Sequence, residues 1–87
     1  MIKDDFFILS STNCPACKQV KRIVGNKLPI YDVSKSDEAC DFAVQHNIFG
    51  VPIAVKRVGK TFRRCNIVIS ANKVTIECGK TPMVFQR

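Results

Sequence analysis

Two cysteines three positions apart, Cys14-Pro15-Ala16-Cys17, have the type and spacing to do chemistry. One helical turn brings such thiols onto the same face, close enough to close a small disulfide ring. They could therefore exchange two electrons with another disulfide through a mixed-disulfide intermediate. The residues around them predict where they sit. Phe6-Phe7-Ile8-Leu9 is apolar on both faces and is followed by Ser10-Ser11-Thr12-Asn13, the pattern of a buried strand running into a turn. Pro15 suits a first helical position, where its missing N–H is no loss. Cys17, Val20, Ile23 and Val24 then make one apolar stripe, and Gly25-Asn26 is a stop signal. Cys14 thus falls at a helix start, where unpaired N–H groups and the helix dipole favour a thiolate; it is the expected nucleophile and Cys17 the resolving thiol. Lys18, Lys21 and Arg22 add positive potential nearby, screened by solvent.

The elements that must hold this pair continue in the same vein. Pro29–Val33 reads as a second short strand. Ser36 caps a second helix, with Asp37 and Glu38 in its first turn and Ala39, Phe42, Ala43 and His46 along its apolar stripe. Asn47 and Gly50 are stop signals, and Val51-Pro52-Ile53-Ala54-Val55 opens a third strand whose proline is tolerable only at its start or on an edge. The order to this point is β-α-β-α-β, implying a parallel start with helices on the sheet. Gly59-Lys60 can close a hairpin between 52–58 and a strand from about Thr61. Cys65–Ser70 and Lys73–Cys78 read as two more strands about Ala71-Asn72. With a two-residue loop, Cys65 faces Cys78, Ile67 faces Ile76 and Ile69 faces Val74 on one apolar face, while Asn66, Val68 and Ser70 meet Glu77, Thr75 and Lys73 on the other. Residues 79–87 show no helical period.

These residues together resemble the thioredoxin fold in its short, glutaredoxin-like form. The resemblance covers residues 6–58 and lies in the strand Phe6–Leu9, the motif Cys14-Pro15-Ala16-Cys17-Lys18 opening a helix, the second βα unit, and Val51-Pro52. It implies an α/β, thioredoxin-like β-α-β-α-β-β core with a mixed central sheet and a β-rich C-terminal extension, all in one domain. It implies a cis Val51–Pro52 bond against the cysteine pair, with Val51 offering its backbone to an extended substrate segment. The function it implies is a thiol–disulfide oxidoreductase that reduces protein disulfides, with Cys14 and Cys17 catalytic and Pro15, Lys18, Val51 and Pro52 contacting substrate. Its clients would be disulfide-containing proteins, ribonucleotide reductase among them. Glutathione or a flavoprotein thioredoxin reductase would supply electrons, with no resident cofactor or metal. The chain departs from the family pattern in having no acid within Phe6–Leu9, glycine rather than threonine before Val51, and neither a Gly-Gly pair nor a final helix in 59–87.

Composition narrows the alternatives. Eighty-seven residues leave room for one core, and 46% apolar with 24% charged is a globular rather than a disordered balance. Phe6–Leu9, the longest apolar run, is far short of the roughly 20 residues a membrane span needs. Met1-Ile2-Lys3-Asp4-Asp5 lacks the cationic start of a secretory leader, so a cytoplasmic protein is expected. Residues 1–55 carry six basic and six acidic side chains, whereas 56–87 carry eight basic side chains against Glu77 alone, so the net +7 lies in the last third. That asymmetry supports an alternative function: a thioredoxin-like binding or redox-sensing module whose basic C-terminal hairpin docks nucleic acid or an acidic partner. Phe62 is the one aromatic in the basic run 56–64, thin support for stacking on bases. A zinc ribbon, which also uses Cys-Pro-x-Cys, needs a second close ligand pair, and Cys65 and Cys78 have twelve residues between them. In a reducing cytosol Cys65 and Cys78 are expected as neighbouring free thiols able to oxidise under stress, Cys40 as a buried inert thiol, and His46 as a structural or surface residue.

Overall fold

The computed structural model describes residues 2–86, Thr81 by its backbone alone. The elements are β1 (Phe6–Ser10), α1 (Pro15–Val24), β2 (Ile30–Asp32), α2 (Asp37–Gln45), β3 (Ile53–Val58), β4 (Thr61–Ser70), β5 (Lys73–Cys78) and β6 (Thr81–Gln86). The strands form one six-stranded mixed sheet in the order β2-β1-β3-β4-β5-β6. Among the described residues, β1 and β2 run parallel and every later neighbour is antiparallel.

The strand alternation divides the apolar residues between two faces. On one, Ile8, Ala54, Cys65, Val74, Ile76 and Phe85 pack with Val20, Ile23 and Val24 of α1. On the other, Phe7, Leu9 and Val55 pack with Ala39, Phe42 and Ala43 of α2 and with Ile48. Each helix covers the sheet with its expected stripe: Cys17, Val20, Ile23 and Val24 of α1 are buried, as are Ala39, Phe42 and Ala43 of α2. Ser36 caps α2 by accepting a bond from the Ala39 amide at 3.2 Å. Gly25 ends α1 with φ 58°, a conformation that costs a side-chain-bearing residue, and its amide closes on the Lys21 carbonyl.

Two hairpins turn on the same tripeptide. Gly59-Lys60-Thr61 joins β3 to β4 and Gly79-Lys80-Thr81 joins β5 to β6, and both glycines have positive φ, 62° and 83°. Glycine first and an ordinary residue second is the composition of a type II′ turn, whose twist matches that of the flanking strands. The β4–β5 register is the expected one, from Asn66↔Glu77 to Ser70↔Lys73.

Several expectations need correction. Strand β6 was not foreseen; Pro82 removes a ladder donor within it, which an edge strand tolerates. The second strand shortens to Ile30–Asp32, and β3 starts at Ile53, leaving Val51 and Pro52 in the approach to it. Cys40 is exposed, because it falls one position past Ala39 and off the buried stripe of α2. Cys65 and Cys78 are not free thiols: they are joined as a disulfide, their Cα atoms 4.8 Å apart. No helix is long and apolar enough to cross a membrane among the described residues.

Candidate functional site

The site lies where β1 ends and α1 begins. Cys14 is the N-cap of α1, with extended backbone (φ −120°, ψ 109°), and Pro15 occupies the first turn. The Cys14 Sγ accepts a hydrogen bond from the Cys17 amide at 3.2 Å, so the thiol satisfies one of the orphan donors of the helix start. Both thiols of the pair are free; Cys14 is half-buried and Cys17 fully buried. Burial pushes the Cys17 thiol up from an ordinary 9.0 to about 11, with the hydrogen bond to Cys14 adding to the rise and Lys21 opposing it. The two thiols thus differ in access, which lets one meet a partner first while the other waits protonated beneath it.

The Val51–Pro52 peptide bond is cis. Next to it, the Cys14 thiol lies 3.8 Å from the Val51 carbonyl oxygen. Cys14, Cys17 and Val51, residues expected at one site, are therefore brought together. Pro15 and Lys18 are exposed on the first turn of α1, with the Lys18 amide donating to the Cys14 carbonyl at 3.2 Å.

Asp32 was missed in the sequence, yet it secures the loop that presents Cys14. Because β2 runs parallel to β1, its C-terminal end arrives beside Ser10, and Leu9↔Tyr31 and Ser10↔Asp32 are neighbours. The Asp32 carboxylate accepts from the Thr12 hydroxyl at 2.7 Å and from the Ser34 amide at 2.8 Å, and pairs with Lys21 at 3.6 Å. These interactions, the Thr12 bond foremost, hold its carboxyl below the usual range against a smaller opposing effect of desolvation. Ser11 and Ser34 hydroxyls add a 3.1 Å bond across the same loop. A single acid between Tyr31 and Val33 carries no motif; only the parallel pairing reveals its role.

The remaining candidates lie elsewhere. His46 stacks on Phe42 with centroids 4.0 Å apart and its ring nitrogen bonds the Phe42 carbonyl oxygen at 2.9 Å, a structural position. Cys65 and Cys78 are bonded to each other rather than gathered with Cys14 and Cys17. The basic residues of 56–64 cluster at the opposite end of the sheet. Phe6, the start of β1, pairs with Lys56, and Lys56 pairs with Arg63, whereas Cys14 follows the far end of β1. Arg57 is tied to Asp5 at 3.0 Å. Compared with protein-family models, curated proteins and solved structures, the chain matches none.

Proposed function

We propose that the protein is a thiol–disulfide oxidoreductase of thioredoxin-like type that reduces protein disulfides through Cys14 and Cys17. The observation that carries this reading is the asymmetry of the pair: an accessible Cys14 thiol capping a helix, a fully buried Cys17 one turn on, and the Val51 carbonyl oxygen 3.8 Å from the Cys14 sulfur. The β-α-β-α-β-β order and the cis Val51–Pro52 bond beside the motif give it further support.

In the reductive direction the Cys14 thiolate attacks one sulfur of the client disulfide. The S–S bond breaks, a Cys14–client mixed disulfide forms, and the departing client thiolate takes up a proton. Cys17 then loses its proton and attacks the Cys14 sulfur, releasing the second client thiolate, which is protonated in turn. The client gains two electrons and two protons, and the protein, which gives them up, is left oxidised with a Cys14–Cys17 disulfide. Two equivalents of glutathione, or the dithiol of a flavoprotein reductase, return it to the dithiol. The pKa of about 11 at Cys17 suits the resolving role, because a protonated Cys17 does not compete for the incoming disulfide and becomes nucleophilic only when a base such as the departing client thiolate takes its proton.

The test is reduction of insulin by dithiothreitol in the presence of catalytic amounts of the protein. The reading expects acceleration that Cys14→Ser abolishes; a wild-type protein that leaves the rate unchanged overturns it.

A further inference from the structure

Strand β4 changes partners halfway along. Thr61–Cys65 pair with β3, and Asn66–Ser70 pair with β5. Past Cys65, the edge of β4 that had faced β3 therefore has no strand beside it among the described residues. Antiparallel geometry fixes which residues own that edge. The two-residue turn makes Ser70 and Lys73 a hydrogen-bonded pair, and bonded and non-bonded pairs alternate from there. Val68 and Asn66 direct their amides and carbonyls to β5, whereas Ile67 and Ile69 turn theirs away from it. The 4.8 Å between the Cα atoms of Cys65 and Cys78 fits a non-bonded pair in the same alternation. Extending the β3–β4 register by two steps would put Pro52, which has no amide, opposite Ile67. Among the described residues, no backbone hydrogen bond joins Ile67 or Ile69 to 50–52, and the β3–β4 register ends at Ala54↔Cys65.

A groove of about 550 Å³ lies at this divergence, lined by Gly50, Val51, Ile53, Asn66, Val68 and Glu77. It adjoins the cysteine pair through Val51, the residue whose carbonyl oxygen lies 3.8 Å from the Cys14 sulfur. Beside it Phe49 is 84% exposed and Val68 48% exposed.

We propose that this groove takes an extended segment of the client polypeptide, the residues flanking its disulfide, as an added strand hydrogen-bonded to Ile67 and Ile69. The inference rests on the dithiol-exchange reading of Cys14 and Cys17. Amides and carbonyls at strand spacing on an unpaired edge are complementary to another extended backbone. The wall formed by Val51, Ile53 and Val68 favours apolar client side chains. Glu77, the one ionisable residue on that wall, favours a basic side chain at the position it faces. This edge belongs to the C-terminal β4–β5 hairpin, so the extension would add client contacts to those offered by Val51 and Ile53.

The experiment compares Ile67→Pro and Val68→Lys with the wild type on two substrates, insulin and an aromatic small-molecule disulfide. Proline at 67 removes a groove-facing amide and leaves the β4–β5 bonds of Asn66, Val68 and Ser70 in place; Val68→Lys keeps the backbone and fills the wall. Each variant should lose about tenfold in kcat/KM on insulin, the scale of one backbone hydrogen bond, and retain its rate on the small disulfide. Wild-type rates on both substrates overturn the groove while leaving the redox reading intact. A wild-type protein inactive on both substrates overturns the two together. Amide hydrogen exchange on the Cys17→Ser protein, trapped through Cys14 to a cysteine-containing peptide, provides a readout independent of how the variants fold. Protection of the Ile67 and Ile69 amides supports the added strand; unchanged exchange at both, or protection that instead tracks dimer formation by the free protein, contradicts it.

Discussion

The thiol of Cys14 and the backbone carbonyl oxygen of Val51, 37 residues apart in the chain, lie 3.8 Å from each other. One belongs to the start of α1 and the other to the approach to β3, so the sheet itself sets their separation: β1 pairs with β3 through Leu9↔Ile53. On the proposed reading, a client sulfur reaching Cys14 passes beside the Val51 backbone, which would give the cysteine pair a docking surface as well as a reactive atom.

The difference in burial between the two thiols predicts their order of reaction. With the reduced protein at neutral pH, iodoacetamide should modify Cys14 well before Cys17, at least about tenfold faster given the burial and raised pKa of the latter. Cys14→Ser should lose disulfide reduction altogether, and Cys17→Ser should accumulate mixed disulfides with its clients. Peptide mapping after timed alkylation reads the order directly; equal rates at the two positions would contradict the assignment.

The raised Cys17 pKa also makes the stability of the reduced protein depend on pH. The folded state holds the Cys17 proton up to about pH 11, whereas the unfolded chain releases it near 9.0. The stabilising contribution is therefore complete below pH 9, declines as pH rises through 9 to 11, and is absent above. Denaturant unfolding of the reduced protein and of Cys17→Ala across that window should show the steeper decline in the protein that keeps the thiol. Parallel slopes would remove Cys17 as their cause.

Asp32 is expected to act through position. Asp32→Asn keeps the size of the side chain but weakens its bonds to Thr12 and Ser34 and its pairing with Lys21. The loop before Cys14 should loosen, lowering kcat/KM on a protein disulfide by less than about tenfold without abolishing it, since the reacting sulfurs are untouched. Faster amide exchange at Thr12 and Ser34 should accompany the loss. A variant with unchanged exchange and an unchanged rate would show that the loop is held by other means.

The Cys65–Cys78 disulfide closes a loop with a sequence separation of 13, for which chain entropy gives about 3 kcal/mol of stabilisation. Replacing both residues by alanine should lower the unfolding free energy of the non-reduced protein by about that amount, and more if a cavity opens around Cys65, which is fully buried. Reduction of client disulfides per folded molecule should persist. Loss of exchange activity in a folded double variant would place Cys65 and Cys78 in the redox cycle.

Much of this arrangement is legible in the chain because local signals agree with the tertiary result. The stripe Cys17, Val20, Ile23, Val24 and the cap Ser36 specify their helices unaided, and the β4–β5 register follows from sorting Ile67, Ile69, Val74 and Ile76 onto one face. What stays hidden depends on pairings distant in sequence. Asp32 meets Thr12 because β2 lies parallel to β1. The partner change of β4 falls between Cys65 and Asn66, inside an uninterrupted strand that carries no glycine or proline to mark it. Strand β6 was readable in one respect, since Gly79-Lys80-Thr81 repeats the turn of Gly59-Lys60-Thr61, but Pro82 argues against a strand unless the edge position is known.

The most direct test of the central claim is the site of oxidation after reaction with a protein disulfide. Fully reducing Cys14 and Cys17, mixing with excess insulin, quenching in acid and mapping the cysteines by mass spectrometry gives that site. The account predicts a Cys14–Cys17 disulfide and two new insulin thiols per chain oxidised. Cys14 and Cys17 both still free for alkylation, with no insulin thiols formed, would contradict it.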